Sequence, residues 1–386
     1  MAEAYIVEAV RTAGGKRAGK LADWHPADLG ASVLNAVVDR SGIDPARIDD
    51  VILGCVTQAG EQSFAFARNA VLASNLPESV PAVTIDRQCG SSQQAVQFAA
   101  QAVMSGTQDI VIAAGAESMT RVPMFSNASL HAQAGIGVGP LSDHIKQRYG
   151  VQAFSQFDGA EAIARKYGFD RDTLDRFALL SHQRAAAATL AGAFKREIVP
   201  LAVFEGMHDS DEGIRHGATL EGISSVKLLQ EGGVISAANA SQICDGASAT
   251  LIVSERALKE HGLTPIARIV NMTVTAGDPV IMLEEPIPAT RRALERAGMR
   301  LSDIDLYEVN EAFASVPLAW LQALDADPDK LNVNGGAIAL GHPLGASGTR
   351  LMSTLIHALR ARGKRYGLQT MCEGGGIANV TILEAL

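Results

Sequence analysis

Cys89 is the residue of this sequence that is best placed to act as a nucleophile. It follows a strand-like run, Val83–Ile85, and lies where a helix would begin at Gly90–Ser91. Backbone N–H groups and the helix dipole at such a position favour a thiolate over a thiol. Gly90 allows a sharp turn and leaves space for a substrate beside the sulfur. The alternative for Cys89 is a buried structural cysteine.

His342 lies between Gly341 and Pro343 in a glycine-rich segment, residues 334–348. The segment matches neither a P-loop nor a dinucleotide-binding fingerprint. An imidazole beside a thiol is the pairing that generates a nucleophilic thiolate by general-base catalysis. We expect His342 to be that base if the fold brings it to Cys89; a structural histidine is the alternative.

Two further segments could stabilise negative charge. Cys372-Glu373 is followed by three glycines, 374–376, whose backbone N–H groups suit a developing oxyanion. Asn310 follows the strand-like run Leu306–Val309, where its amide could orient a water or a carbonyl. The alternatives are a plain glycine turn for the first segment and a helix N-cap for the second.

An internal repeat indicates how these segments could meet. Gly42 and Ile48 each have a counterpart at one common offset, Gly298 and Ile304, in a helix–glycine–strand pattern. Gly90 and Gly345 each stand at the start of a long helix, and their separation in the chain is one residue less than that offset. If the two copies pack about a pseudo-two-fold axis, the turns that carry the thiol and the imidazole converge.

The coarse pattern of elements is α/β. Strands that alternate with helices predict parallel sheets covered on both faces. The helix around Ala95–Met104 is apolar on nearly all sides, so we expect it to be buried between two sheets. Residues from 118 to about 250 have no counterpart in the repeat and are interpreted as an insertion. The strand-like runs are Ile6–Val10, Val51–Leu53, Val83–Ile85, Ile110–Ala114, Ala267–Val270, Leu306–Val309, Gly367–Thr370 and Val380–Leu383.

Composition limits the class of protein. The chain has 386 residues, of which 37 are glycine and only 19% are charged, which indicates a large core or a subunit interface. A net charge of −9 without a basic stripe argues against nucleic-acid binding. No apolar run approaches the ~20 residues of a membrane span, and no secretory leader is recognised. We interpret Cys55 and Cys244 as structural, find no metal-site spacing, and expect a cytoplasmic protein.

Taken together, the motifs resemble those of the thiolases, which cleave or make 3-ketoacyl-CoA. The resemblance covers essentially the whole chain, and its motifs occur in family order: Asp86–Ser92, Asn310–Phe313, Gly341–Pro343 and Cys372–Gly376. It implies an α/β fold of two duplicated βαβαβαββ halves that form a layered α-β-α-β-α core, with an inserted loop domain. The halves would be residues 1–117 and 251–386, and the insert, residues 118–250, would bind CoA.

The resemblance also implies catalytic roles. Cys89 would be the nucleophile that becomes acylated, and His342 its base. Cys372 would protonate the departing acetyl-CoA enolate and then take the proton of incoming CoA. Asn310 would hold a water that forms one oxyanion hole with His342, and the N–H groups of Cys89 and Gly374 would form the other. The related ketosynthases use one Cys with two His, or with His and Asn, so the second Cys favours a thiolase.

For the substrate, the resemblance implies contacts along the length of CoA. Arg215 would lie near the phosphates, which suit a guanidinium with paired donors. Ala238 and Ser241 would lie against the pantetheine arm, and Met282 and Phe313 would line the reactive end. Plain core packing is the alternative for Met282 and Phe313. CoA would be a substrate, no other cofactor or metal is expected, and the family implies a homo-oligomer, a dimer or a tetramer.

Two departures point to a subfamily. Acetoacetyl-specific members carry His-Met-Gly before an Ala-Glu pair, whereas this chain has Phe154–Glu161 there. Glu373 stands where many members have an apolar residue, and with the Asp86–Cys89 block it looks like actinobacterial degradative thiolases, including those acting on steroid side chains. The resemblance therefore implies an acyl-CoA C-acyltransferase that cleaves 3-ketoacyl-CoA with CoA, giving acetyl-CoA or propionyl-CoA and a shortened acyl-CoA. A biosynthetic acetoacetyl-CoA thiolase and a non-catalytic acyl-CoA- or lipid-binding protein are the alternatives.

Overall fold

The structure is a computed structural model that describes residues 2–204 and 206–386. Its strands are β1 Ala4–Thr12, β2 Gly15–Lys16, β3 Asp50–Gly54, β4 Ala82–Ile85, β5 Ile110–Ser118, β6 Ile198–Val199, β7 Leu201–Val203, β8 Gly206–His208, β9 Cys244–Ser254, β10 Ala267–Ala276, β11 Leu306–Val309, β12 Tyr366–Glu373 and β13 Ile377–Ala385. Its helices are α1 Pro26–Ser41, α2 Phe66–Ala73, α3 Ser91–Ser105, α4 Ser126–Ala134, α5 Asp143–Tyr149, α6 Gln156–Tyr167, α7 Arg171–Leu190, α8 Leu220–Ser224, α9 Glu255–His261, α10 Pro286–Ala297, α11 Ser315–Leu324, α12 Ala337–Leu340 and α13 Ser347–Ala361. Every strand-like run named from the sequence lies within one of these strands.

Two similar halves form one large sheet. Its strand order is β11-β12-β13-β10-β1-β9-β5-β3-β4. The second half supplies the first four strands of this order, the first half supplies the rest, and a short antiparallel pairing joins them, Tyr5 with Arg268 and Ile6 with Ala267. The counterpart of β4 in the second half is reduced to a parallel bridge between Tyr307 and Leu331. The duplicated α/β fold is confirmed.

The sheet is mixed, so the expectation of parallel sheets is wrong. β3 pairs in parallel with β4 and β5, and β11 with β12, but β9 and β13 run antiparallel to both of their neighbours. In the second half, β12 and β13 are joined by the short turn 374–376, which permits only an antiparallel pair. In the first half the equivalent pair is β5 and β9, and the chain from 119 to 243 stands in place of that turn. Residues 244–250, which the sequence analysis assigned to the insert, thus belong to the sheet.

Glycine ends the helices where the repeat predicts. Gly42 after α1 and Gly298 after α10 both adopt the left-handed conformation, with φ of 70° and 65°. That conformation favours glycine because it lacks a Cβ. The equivalent stop signals in the two copies therefore have the same physical cause.

Helices α3 and α13 pack against each other, and each contacts strands of both halves. Their first turns touch, since the Thr349 N–H donates to Ser92 Oγ at 3.0 Å. A Cβ on Gly348 would lie 2.0 Å from the backbone nitrogen of Gln93, so only glycine permits this approach. The expected burial of α3 is confirmed, although Gln93 and Gln97 are among its fully buried residues and bond to β13 through Thr381.

A buried group of charged side chains connects the insert to both halves. Arg11 of β1 donates to Glu197 at 2.7 Å and to Asp211 at 2.8 Å, and Arg350 of α13 donates to Asp211 at 3.1 Å. All four side chains are buried. None of the helices formed by the described residues is long and apolar enough to span a membrane.

Candidate active site

Cys89 lies in a tight turn between β4 and α3. Gln88 has a φ of 49°, a strained value for a residue other than glycine. Ser91 fixes the turn, because its Oγ accepts from the Arg87 N–H at 2.9 Å and donates to the Gln88 carbonyl at 2.6 Å. Cys89 itself is partly exposed and packs against a small apolar cluster that includes Leu344 of the second half.

His342 is held in one orientation by its neighbours. Gly341 has a φ of 85°, and a Cβ there would lie 2.7 Å from Cys244 Sγ. Ser347 Oγ donates to the Pro343 carbonyl at 2.9 Å and lies 2.5 Å from His342 Nδ1, so it accepts the Nδ1 proton. His342 Nε2 is then unprotonated, and it lies 3.4 Å from Asn310 Nδ2. This tautomer is the one that a general base requires.

Glu117 joins one loop of each half across the boundary between the halves. Its fully buried carboxylate accepts from the backbone N–H groups of Val56, Thr57 and Gly345, each at 2.9 Å. Gly345 lies three residues after His342, in the turn that leads into α13. The same carboxylate therefore fixes the loop after β3 and the loop after His342.

Cys372 is the last but one residue of β12 and is fully buried, with Ala378 of β13 as its cross-strand partner. The following glycine turn reaches the Cys89 turn, since a Cβ on Gly374 would lie 2.7 Å from Gln88 Oε1. Burial raises the pKa of Cys372 well above its usual value, and the Cys89 thiol adds to the rise. The structure thus brings the Cys89 turn and the glycine turn after Cys372 together, and Leu344, two residues after His342, packs against Cys89.

The thiol and the imidazole both rest neutral. Burial raises the pKa of Cys89 to about 12, the nearby Glu373 carboxyl adds to the shift, and the backbone N–H of Cys89 offsets part of it. Burial, helped by the positive charge of Arg350, lowers the pKa of His342 to about 3. The expectation that the helix start favours a Cys89 thiolate is wrong for the resting site, because desolvation holds the thiol protonated.

The residues expected to contact CoA divide into two groups. Ala238, Met282 and Phe313 are buried in the same apolar cluster as Cys372. Ser241 lies beside them, its N–H donating to the Ala312 carbonyl at 2.9 Å. Arg215 stands apart from this cluster with an exposed side chain, while its backbone N–H donates to His182 Nδ1 at 3.2 Å.

Comparison with known protein families decides the family. The family model described as "Thiolase, N-terminal domain" matches residues 4–256, and "Thiolase, C-terminal domain" matches residues 263–385. The chain belongs to the thiolase family. The first match ends inside α9 and the second begins just after it. Both points lie a few residues beyond the expected start of the second half at 251.

Full-length relatives of this thiolase include proteins named as 3-ketoacyl-CoA thiolases. It is 53% identical to the steroid 3-ketoacyl-CoA thiolase FadA6 of Mycobacterium tuberculosis, covering 100% of this chain and 95% of that one. It is 41% identical to a 3-ketoacyl-CoA thiolase of Cronobacter sakazakii, with both chains covered completely.

Solved structures of the family are also similar. The acetyl-CoA acetyltransferase of Bacillus anthracis superposes with a TM-score of 0.91 at 36% identity, and human mitochondrial 3-ketoacyl-CoA thiolase with 0.89 at 38%. Each comparison covers 100% of this chain and 99% of the other.

Sequence reasoning missed several residues that shape the site of this thiolase. Glu117 left a signal, because a carboxylate three residues after the apolar run 110–114, with only a glycine and an alanine between, is expected to be buried with partners. Ser347 and Arg350 left none, since a serine and an arginine at the start of a helix are ordinary. Their contacts to His342 and to the Gly341 carbonyl are visible only in the structure.

Proposed function

We propose that this chain cleaves 3-ketoacyl-CoA with CoA, giving acetyl-CoA or propionyl-CoA and a shortened acyl-CoA. The observation that carries the proposal is the meeting of three turns: the glycine turn after Cys372 reaches the Cys89 turn, and Leu344, two residues after His342, packs against Cys89. His342 Nε2 carries no proton and can accept one. The 53% identity to a steroid 3-ketoacyl-CoA thiolase supports the degradative direction.

In the first half-reaction, Cys89 Sγ attacks the 3-keto carbon while His342 Nε2 takes the thiol proton. The bond between C2 and C3 breaks, its electron pair passes to C2 of the leaving acetyl-CoA, and Cys372 delivers its proton there. The acyl group stays on Cys89 as a thioester. Because the thiol and the imidazole both start neutral, proton transfer accompanies attack and does not precede it.

In the second half-reaction, the Cys372 thiolate takes the proton of the CoA thiol. The CoA sulfur attacks the acyl carbonyl, Cys89 leaves, and protonated His342 returns its proton to Cys89. Every proton moves between side chains of this chain and the substrates, so CoA acts as a substrate and we propose no separate cofactor.

Negative charge on the reacting oxygen would be held at two places. The backbone N–H groups of Cys89 and Gly374 would form one oxyanion hole. Asn310 Oδ1 is buried without a hydrogen-bond partner among the described residues, which supports a water held between Asn310 and His342 as the other. Removing one such donor typically costs about 100-fold in kcat.

For CoA, we propose that the exposed Arg215 guanidinium pairs with the phosphates and that Ala238 and Ser241 flank the pantetheine arm. Met282 and Phe313 would line the acyl end. The ring of Phe157 packs edge-on against Phe313, with centroids 5.6 Å apart, and belongs to the segment that departs from the acetoacetyl-specific pattern. This aromatic pair supports a pocket for acyl groups other than acetoacetyl.

Thiolysis across a series of 3-ketoacyl-CoA substrates, from acetoacetyl-CoA to long-chain and polycyclic ones, tests the proposed substrate class. We expect kcat/KM to be higher for the longer or polycyclic substrates. The highest value for acetoacetyl-CoA would identify the biosynthetic alternative instead.

Two cysteine variants test the proposed roles. Cys89→Ser should abolish turnover and the mass increase of the enzyme on incubation with an acyl-CoA. Cys372→Ala should still be acylated at Cys89 but should not cleave the C–C bond, because no proton reaches C2. Cleavage at the wild-type rate by either variant would contradict the roles, and an unmodified wild-type Cys89 would favour the non-catalytic alternative. Cys55→Ala, which removes a thiol that has no proposed role, serves as the matched control.

We propose further that the chain forms a homo-oligomer in the cytoplasm. β4 is the last strand of the sheet. Three apolar side chains on it or near it in the chain are exposed: Val83 of β4, Phe98 of α3 and Phe64. An exposed apolar edge strand is typical of a surface that pairs with another chain. All four cysteines are free, which fits a reducing compartment. Light scattering after size-exclusion chromatography, on wild type and on Val83→Lys, tests the oligomer.

A further inference from the structure

Glu373 is a buried carboxyl next to the proposed reaction centre that the mechanism above does not use. It is the last residue of β12, directly after Cys372, and it is fully buried. Its carboxyl faces the Cys89 turn, since a Cβ on Gly90 would lie 2.1 Å from Glu373 Oε1. A carboxyl at this place stands beside both thiols of the site.

The hydrogen bonds around Glu373 fit a neutral carboxyl better than a carboxylate. Oε1 accepts from the Asn379 N–H at 3.0 Å, but Oε2 is buried without a partner among the described residues. Asn379 Oδ1 is likewise buried without a partner in the same part of the chain, and it borders the same point beside Gly90. These two acceptor oxygens share a buried site and lack a hydrogen-bond donor, and a proton on the Glu373 carboxyl supplies that donor.

The charged and titratable groups around Glu373 come from two segments, the Cys89 turn and β12. Burial raises the pKa of Glu373 to about 8, Arg87 acts in the opposite direction, and Asp86 adds to the rise. Cys89 follows in the same turn, and Cys372 precedes Glu373 on its strand. In its ionised form Glu373 raises the pKa of both thiols.

We propose that Glu373 is a positioning residue that sets the alkaline limit of the reaction. The neutral carboxyl holds the Cys89–Gly90 turn against β12 and β13. The ionised carboxylate opposes thiolate formation at both cysteines. The inference rests on the proposed roles of Cys89 and Cys372. The sign follows from the charge. Below its pKa the carboxyl is uncharged and leaves both thiols unaffected; above it, the negative charge raises the cost of every thiolate formed nearby.

The test compares wild type with Glu373→Gln, which keeps the acceptor for the Asn379 N–H and cannot ionise. The rate of Cys89 alkylation by iodoacetamide, resolved by peptide mass, is measured from pH 6 to pH 10, together with kcat/KM for thiolysis. We expect equal alkylation at pH 7 and about tenfold faster alkylation of the variant at pH 9.5, the effect of a pKa difference of about one unit. We also expect thiolysis by the variant to persist to higher pH than thiolysis by wild type.

Two more variants complete the experiment. Glu308→Gln is the matched control, because Glu308 is another buried carboxyl with a raised pKa but its charged neighbours are Glu311, Glu197, Arg362 and Arg184; its alkaline profile should match wild type. Arg87→Gln removes the cation that favours ionised Glu373, so it should move the alkaline limit upward without changing the carboxyl, even if Glu373→Gln folds poorly.

The two readouts separate this inference from the proposed function. Identical alkylation profiles and identical alkaline limits in wild type, Glu373→Gln and Arg87→Gln would overturn the role of Glu373 while thiolysis itself stands. A faster alkylation of Glu373→Gln at high pH in a protein that cleaves no 3-ketoacyl-CoA would support the role of Glu373 and overturn the proposed function.

Discussion

At the scale of single residues, Ser347 decides which nitrogen of His342 carries the proton. Its hydroxyl accepts a hydrogen bond from Nδ1 and donates one to the Pro343 carbonyl, so Nε2 is left as the base. We expect Ser347→Ala to lower kcat for thiolysis about tenfold or more with little change in KM, because the imidazole loses the partner that fixes its tautomer and orientation.

Ser353→Ala is the control for that prediction. Ser353 lies in the same helix and is equally buried, but its hydroxyl donates to the Ala9 carbonyl, away from His342. Steady-state kinetics of both variants should show the kcat loss in Ser347→Ala alone. An unchanged kcat in Ser347→Ala would mean that the tautomer is fixed by other contacts.

The same scale shows what sequence reasoning reaches and what it misses. Cys89, His342, Asn310 and Cys372 could be named as candidates because reactive residue types stand at strand ends and helix starts. The protonation state of Cys89 was predicted wrongly, because the helix start is visible in the sequence and the burial of the thiol is not. The effect of Glu373 depends on Gly90, which is 283 residues away in the chain, and no local pattern encodes such a contact.

At the scale of elements, the contact between α3 and α13 sets the distance between the Cys89 turn and the His342 turn. We expect Gly348→Ala to destabilise the protein by about 3 kcal/mol, since its methyl group would meet the Gln93 backbone, which cannot move as a side chain can. Thiolysis should fall as well, because any separation of the helices moves the two turns apart.

Gly217→Ala provides the comparison for stability. Gly217 has no positive φ, and no atom lies within 4 Å of the place its Cβ would occupy. Thermal unfolding of both variants measures the difference. A Gly348→Ala protein as stable as Gly217→Ala would show that the helices can separate without cost.

Elements were predicted unevenly. The repeat and the glycine stops gave α1, α3, α10 and α13 in their correct places, because those signals are local. β9 itself was missed, since a strand that returns to its sheet after a long insertion carries no sign of its partners. Its polar members, such as Asp245, Ser248 and Thr250, are fully buried by pairing with strands that the local pattern cannot name.

At the scale of the whole molecule, the buried ion group of Arg11, Asp211 and Arg350 joins the first half, the insert and the second half. Asp211→Asn should destabilise the protein by about 3–5 kcal/mol, because it leaves two buried guanidinium groups without their shared carboxylate. Asp172→Asn is the control: its partner Arg176 and Asp172 itself are both more than half exposed, and such a pair contributes about 1 kcal/mol or less.

Denaturant unfolding of the two variants checks this prediction, with fluorescence of Trp24 in the first half and Trp320 in the second as local probes. We expect Asp211→Asn to lower both transitions. If only one transition moved, the ion group would stabilise one part of the molecule and would not connect all three.

The duplicated architecture has one more consequence, at the axis that relates the halves. In two identical subunits, the two turns that the repeat makes equivalent would carry the same residues, so both would carry a thiol or both an imidazole. Because both halves lie in one chain, each has been free to change alone, and Cys89 of one copy packs against Leu344 in the His342 turn of the other. Covalent fusion of the copies therefore allows one turn to supply the thiol and the equivalent turn to supply the imidazole.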